Sequence, residues 1–105
     1  MILAHFYSKK GKTCACSLSG HAGYADYGKD IVCASVTSAV QMAANGITEI
    51  LKVPAQVKVS ENEIFIKLPE SSKSTAYDFL EALKMHIEIL ADDYKGTIKV
   101  KVSEV

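Results

Sequence analysis

Residues 19–52 read SGHAGYADYGKDIVCASVTSAVQMAANGITEILK, and the change of character halfway along this stretch sets the architecture. Its first part is studded with glycine, at Gly20, Gly23 and Gly28, and reads as a loop. From Ile31 to about Lys52 the apolar and small residues recur on every side at helical spacing. A helix that is apolar all round is a buried one. A domain this small has little with which to cover it, so the pattern predicts a homodimer, with Val36, Val40, Ala43, Ala44 or Ile47 at the contact.

Working outward toward the N-terminus, ILAHFYS (2–8) mixes apolar residues on both parities, as a strand covered on both faces does. KKGK (9–12) is a hairpin turn, and KTCACSLS (12–19) reads as a second strand with Cys14, Cys16 and Leu18 sharing one face. Toward the C-terminus, Pro54 ends the helix. AQVKVS, SENE and EIFIKL (55–68) follow as strand, turn and strand, with Val57, Val59, Ile64, Ile66 and Leu68 inward. Ala76, Phe79, Leu80, Leu83, Ile87, Leu90 and Tyr94 form the stripe of a second helix. Thr75 with Asp78 resembles a capping box, and Gly96 suits the stop. TIKVKVSE (97–104) closes the chain as a fifth strand with Ile98, Val100 and Val102 on one face. The order ββαββαβ, with no repeat or linker, predicts a single α+β domain over residues 1–105, one five-stranded mixed sheet with two helices.

The totals bound the function. At 105 residues and 49% hydrophobic content the chain supports one modest core. Twelve basic and twelve acidic residues balance, which argues against direct nucleic acid binding. The N-terminus has no basic segment ahead of an apolar one and no run approaching a membrane span, so a cytoplasmic protein without a membrane partner is expected. Three cysteines, an odd number, make no disulfide framework.

Chemistry concentrates in the opening stretch. Asp30 stands where an N-cap belongs, and Cys33 falls in the first helical turn. The helix dipole there favours a thiolate nucleophile, although the charge of Asp30 opposes it. Backbone N–H groups of Cys33 and Ala34 are placed to hold an oxyanion. His21, at the far end of the loop, is the candidate base, and Gly20, Gly23 and Gly28 are the candidate hinges that let it close. On residue types alone, a buried cysteine packed as a small hydrophobe and a loop histidine bonded to backbone explain the same letters. Other candidates are weaker. Cys14 and Cys16 read as core rather than a redox or metal pair. His5 and His86 lack ligand-like neighbours, Asp92 and Asp93 suit a solvated helix end, and Lys99 and Lys101 suit a soluble sheet edge.

GHAGYADYGKDIVCA (20–34) resembles the signature of the ribosomal-processing cysteine protease (Prp) family. Gly20, His21, Ala22, Gly28, Asp30, Ile31, Val32, Cys33, Ala34 and Val36 fall on that pattern. The resemblance implies a cytosolic homodimer that removes a short N-terminal extension from protein twenty-seven of the large ribosomal subunit, cutting after an aromatic motif. It implies Cys33 as nucleophile and His21 as base, with Asp30, Thr37 and Ala34 in support and neither metal nor organic cofactor. Two positions depart from it: Ser35 replaces an alanine and Thr37 a serine, the latter keeping a hydroxyl on a stiffer side chain. The alternative is a non-catalytic module that binds a ribosomal protein or assembly factor, using the same loop as a peptide clamp.

Overall fold

Alternation in the first twenty residues is realised as a hairpin. A computed structural model describes residues 1–20 and 31–105. Strands β1 (Ile2–Lys9) and β2 (Lys12–Gly20) pair antiparallel across a two-residue turn in which Lys10 and Gly11 both take positive φ, 54° and 79°. That combination gives the twist that tight hairpins need. Helix α1 (Ile31–Asn45) follows and runs into a π-helical turn, Gly46–Ile50. Strands β3 (Gln56–Val59) and β4 (Glu63–Lys67) form a second hairpin, then come helix α2 (Ser74–Asp93) and strand β5 (Ile98–Glu104). The spatial order is β3-β4-β2-β1-β5, with β5 parallel to β1 and every other pair antiparallel. The element order and the mixed five-stranded sheet are those expected from the sequence.

Both helices pack on one face of the sheet. Ile2, Ala4, Phe6, Cys16, Leu18 and Ile66 meet Val32, Val36, Val40, Ala43 and Ile47 of the first helix and Ala76, Leu80, Leu83, Ile87 and Leu90 of the second in one cluster. Each fully buried aliphatic side chain there contributes about 1.5–3 kcal/mol relative to exposure. The α2 stripe therefore behaves as its spacing predicts.

The structure departs from the sequence reading in several places, each with a local cause. Leu3 is half exposed, because helices cover only one side of β1 rather than both. The register of the first hairpin slips between Tyr7 and Ser8: Ser8 pairs with Thr13 but Tyr7 with Ala15, which leaves Cys14 as the extra residue of a bulge. Parity inverts at that point, so Thr13 and not Cys14 is the fully buried residue. The carboxylate of Glu81 on α2 accepts from both the amide and the hydroxyl of Thr13, while the Cys14 thiol donates to the Tyr7 carbonyl at 3.5 Å.

The first helix is not α-helical to Lys52. Leu51 N donates to the Gly46 carbonyl at 2.9 Å, an i→i−5 bond, and the Phe79 ring packs where a Cβ on Gly46 would lie, 2.5 Å away. Nor is α1 buried all round, since Ile31, Met42 and Ile50 are exposed. Val36, Val40, Ala43 and Ile47, expected at a subunit contact, lie in the domain's own core. Ile31–Ile50, outside the N-terminal segment read above, is long and apolar enough by length and composition alone to cross a membrane, but its buried stripe makes it the core helix. Val57, Val59 and Val102 are exposed because β3 and β5 are the outer strands, beyond the reach of two helices. Finally, α2 is capped by Lys73 with no side-chain bond, rather than by Thr75 and Asp78: helix geometry begins at Ser74, and the Lys73 carbonyl accepts from Ala76 N.

Candidate active site

Strand β2 ends where it does because Gly20 sits at φ +91° with its α-carbon against the Met1 carbonyl; a Cβ would lie 2.5 Å from that oxygen. Its amide donates to the Asn62 carbonyl at 3.1 Å, which ties the strand end to the turn between β3 and β4. Gly20 is thus the last residue of β2 and not the first of the loop, and its freedom from a side chain serves this close approach. Glu63 joins the same junction, pairing with Ser19 and accepting from the Ser17 hydroxyl at 2.7 Å.

Facing this junction is the N-terminal half of α1. The helix starts at Ile31, which makes Cys33 its third residue. Cys33 is half-buried, packed at the margin of the core, and Thr37 follows one turn later on the same side. Both line a cleft of about 340 Å³ whose other wall is formed by Ser19, Gly20 and the Glu61–Asn62 turn. The third and fourth amides of a helix, here those of Cys33 and Ala34, point out of its N-terminal end. The Ala34 side chain turns the other way, into a depression of about 700 Å³ between α1 and α2 bordered by Met42, Phe79 and His86. That depression is larger than the cleft, but no thiol lines it, so the chemistry belongs with the smaller one.

Sequence reasoning missed the wall contributed by Glu61 and Asn62. Nothing in SENE marks it as functional; only the antiparallel pairing of β2 with β4 brings that turn beside Gly20. His21, Gly23, Gly28 and Asp30 lie outside the described residues, and so do the base, hinge and capping roles expected of them.

The other two cysteines have different surroundings. Cys16 is fully buried between Phe6 and Ile66, and burial pushes its thiol from 9.0 up to about 12, a rise that a backbone hydrogen bond to Ile66 partly offsets. Cys14 belongs to the bulge. His5 does have a partner, Ser103, whose Oγ is 2.8 Å from its Nε2, and its ring stacks on Tyr7.

Comparison with known proteins agrees with this arrangement. A model of the cysteine protease Prp family matches residues 1–99. The ribosomal processing cysteine protease Prp of Bacillus subtilis is 28% identical over 89 residues, covering 79% of this chain and 80% of its own length. Among solved structures, a Streptococcus mutans protein superposes with a TM-score of 0.89 at 26% identity, covering 100% of this chain and 96% of its own. The essential ribosomal processing protease Prp from S. aureus, in complex with a covalently linked product peptide, has the same fold: TM-score 0.89, 20% identity, 97% and 99% coverage. With a family model spanning all but the last few residues, and a thiol at the start of a cleft-lining helix, the chain belongs to the cysteine protease Prp family.

Proposed function

We propose that Cys33 and His21 form the catalytic dyad, and that the substrate is the N-terminal extension of protein twenty-seven of the large ribosomal subunit, cut after an aromatic residue. The observation that carries this reading is the position of Cys33: first turn of α1, half-buried, on the wall of a cleft open to a peptide. The Bacillus subtilis relative, named for ribosomal processing, supports the substrate class. The S. aureus enzyme carries a covalently linked product peptide, which supports nucleophilic catalysis.

In this mechanism His21 takes the proton of the Cys33 thiol, and the sulfur attacks the carbonyl carbon of the scissile peptide. Charge collects on the carbonyl oxygen, where the Cys33 and Ala34 amides stabilise it. Collapse of the tetrahedral intermediate breaks the C–N bond, and the imidazolium gives its proton to the departing amine. Water, deprotonated by His21, attacks the remaining thioester and releases a carboxylate and the thiol. Thr37 shapes the cleft wall one turn along, and Asp30 orients His21 or caps α1.

We assign the protein to the cytoplasm as a homodimer, with the second copy on the groove between α1 and α2 where Met42 is exposed. Sedimentation at micromolar concentration tests this, and a monomer overturns it. Incubating the protein with a peptide spanning the ribosomal extension and weighing the products tests the activity. Two fragments that together equal the peptide plus one water are expected; an intact peptide retained on the protein would instead favour a clamp.

A further inference from the structure

The two helices cover one side of the sheet, and among the described residues no element packs on the other. The side chains on that open side come into line across the strands. Lys101 on β5 pairs with His5 on β1, His5 with Ser17 on β2, Ser17 with Phe65 on β4, and Phe65 with Lys58 on β3. One transverse row therefore reads Lys101, His5, Ser17, Phe65, Lys58, with a lysine at either end and two rings between. Tyr7 and Lys67 stand in the next row, joined through Ala15. The rings on β1 are held in place: His5 stacks on Tyr7 at 4.2 Å between centroids and 22° between planes, and its Nε2 meets the Ser103 hydroxyl at 2.8 Å. The lysines of both rows are exposed, and the rings are half-exposed.

Charge is sorted by layer. The five strands carry six lysines against Glu63 and Glu104. Lys9 pairs with Glu70 at 3.6 Å and Lys12 lies over the Tyr77 ring of α2. That leaves Lys58, Lys67, Lys101 and Lys99, the last opposite Leu3, on the open side with the single carboxylate of Glu63 beside Ser17. The described helical segments carry six carboxylates against Lys84 alone. Neutrality of the whole chain thus conceals a basic sheet and an acidic helix layer, and the argument from net charge against nucleic acid does not apply to the sheet face.

We propose that the open face of the sheet docks single-stranded RNA, with bases resting on His5, Tyr7 and Phe65 and phosphates at Lys58, Lys67, Lys99 and Lys101. Lysines alone attract any polyanion. Flat rings set between them add stacking surfaces, which unpaired bases fill and which acidic peptides or lipid headgroups leave unused. The face lies on the opposite side of the sheet from α1, so RNA and peptide occupy different surfaces of one molecule.

Fluorescence anisotropy of the full chain with a short, labelled, mixed-sequence single-stranded RNA tests this. Binding is expected at about 50 mM salt and should weaken steeply toward about 200 mM. Reversing both ends of the row, Lys58→Glu with Lys101→Glu, should weaken binding about tenfold or more and lower the salt slope by roughly 0.7 per lysine. Phe65→Ser should weaken binding with the slope unchanged, while Lys84→Glu on the helix side should leave it unaltered. Circular dichroism on each variant separates loss of binding from loss of fold, and the lysine pair keeps the test decisive if Phe65→Ser unfolds. No signal at about 10⁻⁴ M protein and low salt would overturn the proposal. So would equal weakening by Lys84→Glu, or displacement of the RNA by polyglutamate or phosphatidylserine vesicles as effective as by unlabelled RNA.

Discussion

Cys16 and Cys33 carry the same side chain into opposite surroundings. Cys16 sits on a central strand between Phe6 and Ile66, sealed from water, where a charged sulfur has no solvation and the thiol is pushed up to about 12. Cys33 sits at the start of a helix on the wall of a cleft, half in contact with solvent and near amides aimed out of the helix end. A strand interior makes cysteine a small hydrophobe, whereas a helix start beside an opening gives it access to a substrate. In this protein the surroundings of a cysteine are set by its position and not by its residue type.

The sharpest way to break that comparison is to remove each sulfur. Cys33→Ala is expected to lower kcat/KM for peptide cleavage by on the order of 10⁴-fold or more, and His21→Ala by a similar factor. The double variant should be scarcely worse than either, because two groups acting as a unit lose their effect together. Cys16→Ala should cost about 1 kcal/mol or more of stability and leave kcat/KM nearly intact. An active Cys33→Ala enzyme would reverse the assignment.

Labelling sharpens the same contrast without mutation. Iodoacetamide should modify Cys33 in the folded protein well before Cys16, which should react only on unfolding; peptide mapping against time reads the order. Cys14, half-buried in its bulge, should fall between them.

Alkaline titration should show a smaller effect. The folded state holds the Cys16 proton above the pH at which the unfolded chain loses it, so the group's contribution is intact below about 9 and declines as pH rises toward about 12. Cys16→Ala lacks this loss. The gap in denaturation midpoint between the parent and Cys16→Ala is expected to narrow as pH increases through that window, and a constant gap would mean that Cys16 is not the titrating group.

The last comparison concerns what fixes Cys14 in its intermediate place. Glu81→Ala removes the acceptor for both Thr13 donors and is expected to cost about 1–3 kcal/mol in urea denaturation. If the bulge loosens as a result, Cys14 should be labelled faster while the rate at Cys33 stays unchanged.

These particulars show which features are legible in sequence. The element order was readable because apolar spacing of two and of three to four distinguishes strand from helix throughout the chain. The start of α1 was readable too, and with it the place of Cys33 in the first turn. The bulge was not: one inserted residue inverts parity, and it is held by Glu81, far along the chain. The exposure of Val57 and Val59 was hidden because alternation records which face a residue takes, and not whether a helix reaches that far across the sheet. The depth of α1 was overread because alanine and serine fill its outer side with little polarity. In the site, the wall formed by Glu61 and Asn62 depends on the pairing of strands distant in sequence, which local pattern does not encode.

The parallel partnership of β1 and β5 bears on when this protein can exist as an enzyme. Ile2 through Ser8 lie along Ile98 through Glu104, and the seam is closed at both ends, by Ile2 N to the Thr97 carbonyl and Val105 N to the Ser8 carbonyl. Strand β1 therefore waits for β5, more than ninety residues further along the chain. A nascent chain already holding α1, with its thiol, still leaves β1 with one bare edge and lacks Ile98 from its core. Contacts so distant in sequence form late and slowly. A chain stopped at Lys95 is expected to show little native circular dichroism and no cleavage. Through this topology, the sheet that carries the site is expected to stay incomplete until β5 has been made.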